Sequence, residues 1–445
     1  MTVTKAELIG TLDEKYVANV VAFESMIAAA ALVLDGEHLR GTDGSIDLVA
    51  VRARIAALTW QVPAMRQRLV PTPLRLTTPA WVPVDHLDIA EHVKLHPDIE
   101  PDDPNHVEIL TGRLNGPMDL SRPLWDFLVV ELDSGRVAIV ARYHHVIGDA
   151  LFGLKIGDVV AGTAPSTSLP EISDDERDAV GVPPRTGVGI LAIAGRSWFA
   201  ARSGRADAWH EYWRKPFVRR LRRWGGRVIR PLKNRAIIAS GEAERLLVPR
   251  HSRYVEVDLA PATKLAYRLG GTVHDLTVAA TLRAVAMLEP DSETMSLLVP
   301  ISRRSRTDDA ARNHISIVKV TVPTADPLEL VVPAVRAQVQ AAVDDRSNRG
   351  LGTPDWRGYA TSITWGPRQR FFGEAPIRSV TGWPAGDPRD DLACLSCSYG
   401  KTLSISVTAR ATTDVDAVMA VISECFAAVP VPLPVPVPAT ATVGS

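Results

Sequence analysis

The 445 residues are 46% hydrophobic and 23% charged, which suits a large core shared by two or three domains. Lys+Arg number 50 against 51 Asp+Glu, a net charge of −1; this excludes a general nucleic-acid binder, which needs a basic excess to release counterions from phosphates. The abundance of Leu, Ile, Val and Ala excludes global disorder.

The chain opens MTVTKAELIGTLDEKY, charged where a signal peptide would be apolar. The best apolar run, Met26 to Leu34, is half the ~18 residues that span a bilayer. Ser45 is placed to cap a helix through Val49, Val51 and Ile55. Two apolar runs, 127–132 and 137–143, flank Asp133, Ser134 and Gly135 and predict a β-hairpin. Residues 163–186, with four prolines and a cluster of acids, read as a surface loop.

From Arg196 to Arg235 there are 13 Lys/Arg against two acids, interleaved with Trp198, Trp209, Tyr212, Trp213, Phe217 and Trp224. This is a solvated helical crossover between domains, or a basic aromatic face for a lipid surface or the phosphates of a charged cofactor. A strand at 253–258 follows, then helices from Pro261 and over Asp275–Leu288, and strands at 295–301 and 314–322. A long helix runs from Leu328 to Val343, and a hairpin of 391–399 and 402–409 turns at Gly400. Thr413 opens a last amphipathic helix, and the tail VPLPVPVPATATVGS reads as extended. The three cysteines are too few and scattered for a disulfide framework and fit a reducing cytosol. Cys394 and Cys397, a lone C-x-x-C, read as ordinary strand residues.

The chemistry-bearing segment is Ala141-Arg-Tyr-His-His-Val-Ile-Gly-Asp-Ala150. Strand alternation puts Val137, Ile139, Ala141, Tyr143 and His145 on one face and Val140, Arg142 and His144 on the other. A matched histidine pair and a metal site from His144, His145 and Asp149 are therefore disfavoured, and no metal is expected. Asp149 sits where an N-cap would open a helix through Leu151, Leu154 and Ile156. His145 thus stands at a strand-to-helix corner in an apolar wall, suited to act as a neutral general base toward a hydroxyl, thiol or amine. The plainer reading is a pair of core or capping histidines.

His144-His145-Val-Ile-Gly-Asp149 resembles the HHxxxDG signature of the acyl-CoA-dependent acyltransferase superfamily, which includes chloramphenicol acetyltransferases and nonribosomal condensation domains. The neighbouring motifs resemble those of the bacterial wax ester synthase/diacylglycerol acyltransferase family. They are Pro123-Leu124-Trp125 (PLW), Pro63 to Leu69 (PxxRQRL), and Trp81 followed by Asp88 to Val93 (W…D…HV). Further on come Thr272-Val273-His274-Asp275 (TVND), Val299 to Arg304 (VPVSxR), Asn313 (GN), Thr361 to Pro367 (SNxxGP) and Ser398-Tyr399-Gly400 (SYG). The resemblance runs in order from about residue 14 to 428. Ala150, His274 and Arg312 depart from the pattern, replacing Gly, Asn and Gly.

The resemblance implies an α/β (α+β) fold of two chloramphenicol-acetyltransferase-like subdomains packed in a V with a long crossover linker. Its divisions fall at 1–165, 166–250, 251–430 and a proline-rich tail, 431–445. It implies an acyl-CoA-dependent O-acyltransferase, with acyl-CoA as co-substrate, no bound cofactor, and an alcohol or lipid acceptor such as a fatty alcohol or diacylglycerol. His145 would deprotonate the acceptor for direct attack, beside His144 and a structural Asp149. Gly148, Asn313, Trp125 and Arg304 are the candidate substrate-binding residues. Arg304 would pair with Asp149 or stand as a surface charge, Asn313 would polarise the carbonyl or cap a strand, and Trp125 has core packing as its plainer role. The chain is expected in the cytoplasm, with reversible contact at the inner face of a membrane or a lipid droplet. Two rivals differ in class: a condensation-type enzyme acting on a carrier-tethered substrate, and a non-catalytic acyl-binding or scaffolding relative.

Overall fold

The computed structural model describes residues 4–10, 13–17, 26–96, 118–132, 135–202, 217–240, 250–302, 313, 315–345, 357–385 and 391–427. In chain order the first half contains β1 (Glu7–Leu8), β2 (Ile27–Asp35), α1 (Leu48–Leu58), β3 (Gln67–Val70), β4 (Ala80–Pro83), α2 (Ile89–His92), β5 (Val93–Leu95), β6 (Trp125–Glu131), β7 (Arg136–His144) and α3 (Ala150–Val160). The crossover holds α4 (Asp174–Val180), α5 (Gly187–Arg202) and α6 (Phe217–Ala239). The second half contains β8 (Arg250–Asp258), α7 (Leu259–Arg268), α8 (Val273–Leu288), β9 (Thr294–Ser302), β10 (Ile315–Pro323), α9 (Leu328–Asp344), β11 (Gly358–Gly366), β12 (Phe371–Phe372), β13 (Ala375–Trp383), β14 (Leu392–Tyr399), β15 (Thr402–Arg410) and α10 (Val415–Ala427).

The strands form two six-stranded sheets, ordered β12-β13-β2-β7-β6-β5 and β10-β9-β11-β14-β15-β8, and a small third sheet of β1, β4 and β3. Each large sheet has its own core. Leu34, Ile55, Met65, Trp81 and Ile139 are fully buried in the first, and Leu276, Leu282, Leu297 and Ile405 in the second. Helix α8 is buried without a break from Asp275 to Leu282, as expected of a helix apolar on every side.

The predicted hairpin is β6–β7, antiparallel with Asp126 opposite Arg142 and Trp125 opposite Tyr143. The two faces of β7 separate as alternation requires: Val137, Ile139, Ala141 and Tyr143 join one cluster, and Ala138 and Val140 another. The second hairpin, β14–β15, turns at Gly400, whose φ of +59° is left-handed and favours glycine.

Three local expectations are corrected. Helix α1 is capped by Asp47, whose side chain accepts from Ala50 N–H, rather than by Ser45, which turns its hydroxyl to Asp43. Residues 163–186 are not all loop: Ser173 and Glu176 form a reciprocal capping box that opens α4. The last helix is capped by Asp414, which accepts from Ala417 N–H, not by Thr413. The tail 431–445, Arg304, Arg312 and the crossover aromatics Trp209, Tyr212 and Trp213 lie outside the described residues.

A larger departure concerns the division at residue 251. β12 and β13 lie late in the chain, yet they join the first sheet, β13 pairing antiparallel with β2 from Ile377–Leu34 to Trp383–Ala29. The halves are thereby interlocked. Thr381 accepts a hydrogen bond from Ser404 of β15 (3.0 Å), and the Gly382 carbonyl accepts from Ser406. β2 itself contains four consecutive alanines, good helix formers in isolation. Pairing on both edges, with β13 and β7, outweighs that preference.

Candidate active site

His145 directly follows β7. Its N–H donates to the Met26 carbonyl (2.7 Å) ahead of β2, and its own carbonyl accepts from Asn313 Nδ2 (2.9 Å) in the second half. The backbone of the catalytic candidate is therefore held from both halves, by the Met26 carbonyl and the Asn313 side chain. Nδ1 is buried, whereas the residue as a whole is half-buried and lines a cavity. The Tyr16 ring packs beside it at 5.2 Å.

The cavity encloses about 270 Å³ between the halves. Its wall is largely apolar, with Leu32, Phe127, Leu154 and Ile156 from the first half and Ile363 and Trp365 from the second. Helix α3 comes close through Gly153 and Gly157, four residues apart on one face. A Cβ at Gly153 would sit 2.5 Å from the Tyr143 hydroxyl, and one at Gly157 3.2 Å from the Trp365 ring. Asp158, on the same helix, accepts from Trp365 Nε1 (2.7 Å) and pairs with Arg370 (2.7 Å), tying α3 to the second half.

Asp149 lines the cavity, is 3% exposed, and caps α3 by accepting from Phe152 N–H (3.0 Å). Gly148 is buried next to it, and a Cβ there would lie 2.3 Å from the Phe152 ring. Ala150, which replaces the motif's final glycine, is the first residue of α3; a helical position has no need of glycine's positive φ.

His144 is 0% exposed and does not line the cavity. Its Nδ1 accepts from Val146 N–H (3.0 Å), which keeps that nitrogen unprotonated and fixes the turn. Trp125 is likewise in the core rather than on the cavity wall. Its Nε1 donates to the Met65 carbonyl (2.7 Å), and its ring stacks 4.3 Å from His92, which donates from Nδ1 to the Trp125 carbonyl (2.6 Å). The PLW and HV motifs thus meet as packing partners. In the TVHD segment, Thr272 and Asp275 form a capping box that opens α8.

Sequence reasoning missed a polar chain that runs from the cavity at Ser362 into the second half. His274 Nδ1 lies 3.1 Å from Ser362 Oγ, Ser396 Oγ donates to Ser362 Oγ (2.7 Å), and Thr277 Oγ1 donates to Ser396 Oγ (3.0 Å). Ser362 lines the cavity. The signal was present in the departure at His274, but nothing local connects it to a residue 88 positions away. Ser362→Ala removes the middle of this chain and is expected to cost about 2 kcal/mol, because buried groups on both sides lose a partner. Urea denaturation measures it; a loss below about 0.5 kcal/mol would show that the chain contributes little to stability.

Burial pushes the His145 imidazole below the ordinary value of 6.5, with its own carbonyl, Asp149 and Asn313 pulling the other way. The neutral ring is the form present at neutral pH. Burial also lowers His92 and His274. Above pH 6.5 these rings are neutral in both the folded and the unfolded chain; below it the unfolded chain takes up protons first. Stability is therefore expected to fall on acidification below 6.5, by up to about 1.4 kcal/mol per pH unit for each histidine. A denaturation midpoint that does not drop between neutral and mildly acidic pH contradicts this. The thiols of Cys394 and Cys397 are pushed up to about 12 by burial, so neither is a thiolate nucleophile. Among the described residues no group of three or more His, Cys, Asp or Glu is placed to hold a metal ion.

The wax ester synthase/diacylglycerol acyltransferase catalytic domain matches residues 24–278, more than half of the chain. The chain belongs to that family. A Mycobacterium tuberculosis protein named "Putative diacyglycerol O-acyltransferase Rv1760" is 27% identical over 342 residues, covering 73% of this family member and 64% of the relative; the chain thus spans just under two thirds of that relative's length. The wax ester synthase/diacylglycerol acyltransferase of Marinobacter aquaeolei VT8 superposes with a TM-score of 0.57 at 14% identity over 95% and 98% of the two chains. The first condensation domain of the calcium-dependent antibiotic synthetase, in complex with a substrate analogue, gives 0.60 at 12% identity over 95% and 96%. These structural likenesses are of fold: two sheet-rich halves in the chloramphenicol-acetyltransferase-like pseudo-dimer arrangement.

Proposed function

We propose that this family member is an acyltransferase that moves an acyl group from a CoA thioester to an acceptor hydroxyl by direct attack, with His145 as general base. The observation that carries the reading is a histidine kept neutral by burial on the wall of an apolar cavity between the two halves. Nε2 takes the proton of the acceptor hydroxyl as its oxygen attacks the thioester carbonyl. The tetrahedral intermediate collapses, the carbon–sulfur bond breaks, and the departing sulfur takes the proton back from the imidazolium. No acyl-enzyme is required, in keeping with the protonated thiols and the absence of a G-x-S-x-G nucleophile elbow from the sequence.

Asn313 and Met26 are positioning residues in this scheme, holding the His145 backbone, and Asp149 braces the loop by capping α3. The apolar wall suits an acyl chain, and a fatty alcohol, a diacylglycerol or a related alcohol is the acceptor class. Such acceptors reside in lipid phases, so contact with a membrane or droplet surface belongs to the same reading. The test is CoA thiol release from short- to long-chain acyl-CoAs with and without alcohol and amine acceptors. Release that depends on an alcohol supports the proposal. Folded protein that no acceptor stimulates overturns it and turns attention to carrier-tethered donors, the condensation-type chemistry.

A further inference from the structure

Helix α6 is amphipathic, but its orientation is inverted. Its 23 residues include eight Lys/Arg and no Asp or Glu. The side turned to the protein is polar: Arg227 donates to both carboxylate oxygens of Glu14 (2.7 and 2.9 Å), and Arg230 adds a third contact (3.2 Å). These three side chains are only 14–19% exposed. The outward side is apolar, with Trp224, Val228, Ile229 and Leu232 between 39% and 64% exposed. Their spacing of four, five and eight residues from Trp224 places them in one arc of the helix. Arg222 and Lys233 are exposed beside the Ile229 edge of this arc, and Arg235 is exposed within it, a turn beyond Leu232.

A helix of a soluble protein ordinarily turns its apolar arc inward. Here the Glu14 clamp fixes the opposite orientation, so the arc faces outward with cations around it. No helix among the described residues is long and apolar enough to cross a membrane, which leaves a helix lying in the interface plane. Charge selects the occupant: with Arg222, Lys233 and Arg235 exposed and no acid on the helix, an anionic surface is complementary, and Trp224 suits the headgroup level. We propose that α6 seats this protein on an anionic lipid bilayer, with Trp224, Val228, Ile229 and Leu232 in the interface and Arg222, Lys233 and Arg235 on lipid phosphates. This deepens the lipid-acceptor reading, on which it rests, by naming the element that makes the contact.

Flotation of the full chain tests it, using phosphatidylcholine vesicles and mixed phosphatidylcholine/phosphatidylglycerol vesicles. The wild type is expected to float with the mixed vesicles only, and less at high salt. Trp224→Ser combined with Leu232→Ser should reduce partitioning more than tenfold, and Arg222→Gln and Lys233→Gln by about fivefold each. Circular dichroism and CoA release toward a water-soluble alcohol should be unchanged, since none of these residues lines the cavity. Variants that float as well as the wild type overturn the assignment to α6 while leaving membrane contact intact. A wild type that floats with neither vesicle overturns the seating itself, and the soluble-acceptor assay then reports separately on the acyltransferase reading. Release of wild type from mixed vesicles by free CoA at low concentration would assign the cations to CoA phosphates instead. Self-association abolished by Leu232→Ser would assign the arc to a second copy of the chain, and either result overturns the proposal.

Discussion

His145→Ala is expected to lower acceptor-dependent CoA release by ~10²–10⁴-fold, the usual worth of a positioned general base. The substitution should leave the far-ultraviolet spectrum and the unfolding midpoint close to wild type, because the strand-to-helix corner is held by other groups: Val146 N–H on His144, and Phe152 N–H on Asp149. The pH profile makes the prediction specific to a base. The imidazole lies below 6.5 because it is buried, so the acid limb of kcat/KM should fall below that value. Asp149 pulls the imidazole upward; Asp149→Asn retains a good helix cap but loses the charge, and should move the acid limb lower still. A histidine with a merely structural role would leave that limb in place. His145→Ala retaining more than a tenth of wild-type turnover would remove His145 from the chemistry.

The largest expected effect on stability lies on the other face of the same hairpin. Arg142 of β7 is 8% exposed and stands directly across from Asp126 of β6, with Nε 3.0 Å from the carboxylate. Burial holds the Asp126 carboxyl above its ordinary range, with Arg142 pulling it back. Asp126→Ala takes this partner from a buried guanidinium and is expected to cost about 3 kcal/mol, read as a lower denaturation midpoint. The carboxylate is a quarter exposed, which keeps the effect at the lower end of the range for buried pairs. Asp126→Leu with Arg142→Met should recover the loss, since the raised Asp126 pKa says that desolvation outweighs the attraction within the pair. A double variant as unstable as Asp126→Ala would show that Arg142 matters through other contacts.

The hairpin and its neighbours were legible in the sequence because their determinants are local. Alternation along 137–145 assigns faces without reference to anything distant, and Asp149 announces a helix start by its position before Leu151, Leu154 and Ile156. The helices α7, α8 and α9 and the turn at Gly400 were readable for the same reason. The errors were also local, a choice between neighbouring caps: Asp47 for Ser45 and Asp414 for Thr413. Asp and Ser are near-equal caps and Thr ranks just below them, so residue type alone does not choose between neighbours one or two positions apart.

Motif order pointed to the family but not to the work each motif does. Trp125, His92, Thr272 and Asp275 sit in recurring patterns, and in the folded chain they pack the core or close helix caps. A packing residue and a substrate-binding residue can look the same in a pattern, since the difference lies in which side of an element faces the cavity.

By itself, the sequence determined the two-half α/β organisation, the strand-to-helix corner that carries His145 and Asp149, and the basic, aromatic character of the crossover. Each follows from periodicity, capping chemistry or composition within a short window. Only the tertiary structure decided that β13 leaves the second half to pair with β2, that Asn313 reaches the His145 carbonyl, that His274 meets Ser362 behind the cavity wall, and that α6 turns its apolar arc outward. Those features join groups up to about 350 residues apart. They depend on which of several compatible edges and faces bury together, a choice made by the whole chain's packing and by no local propensity.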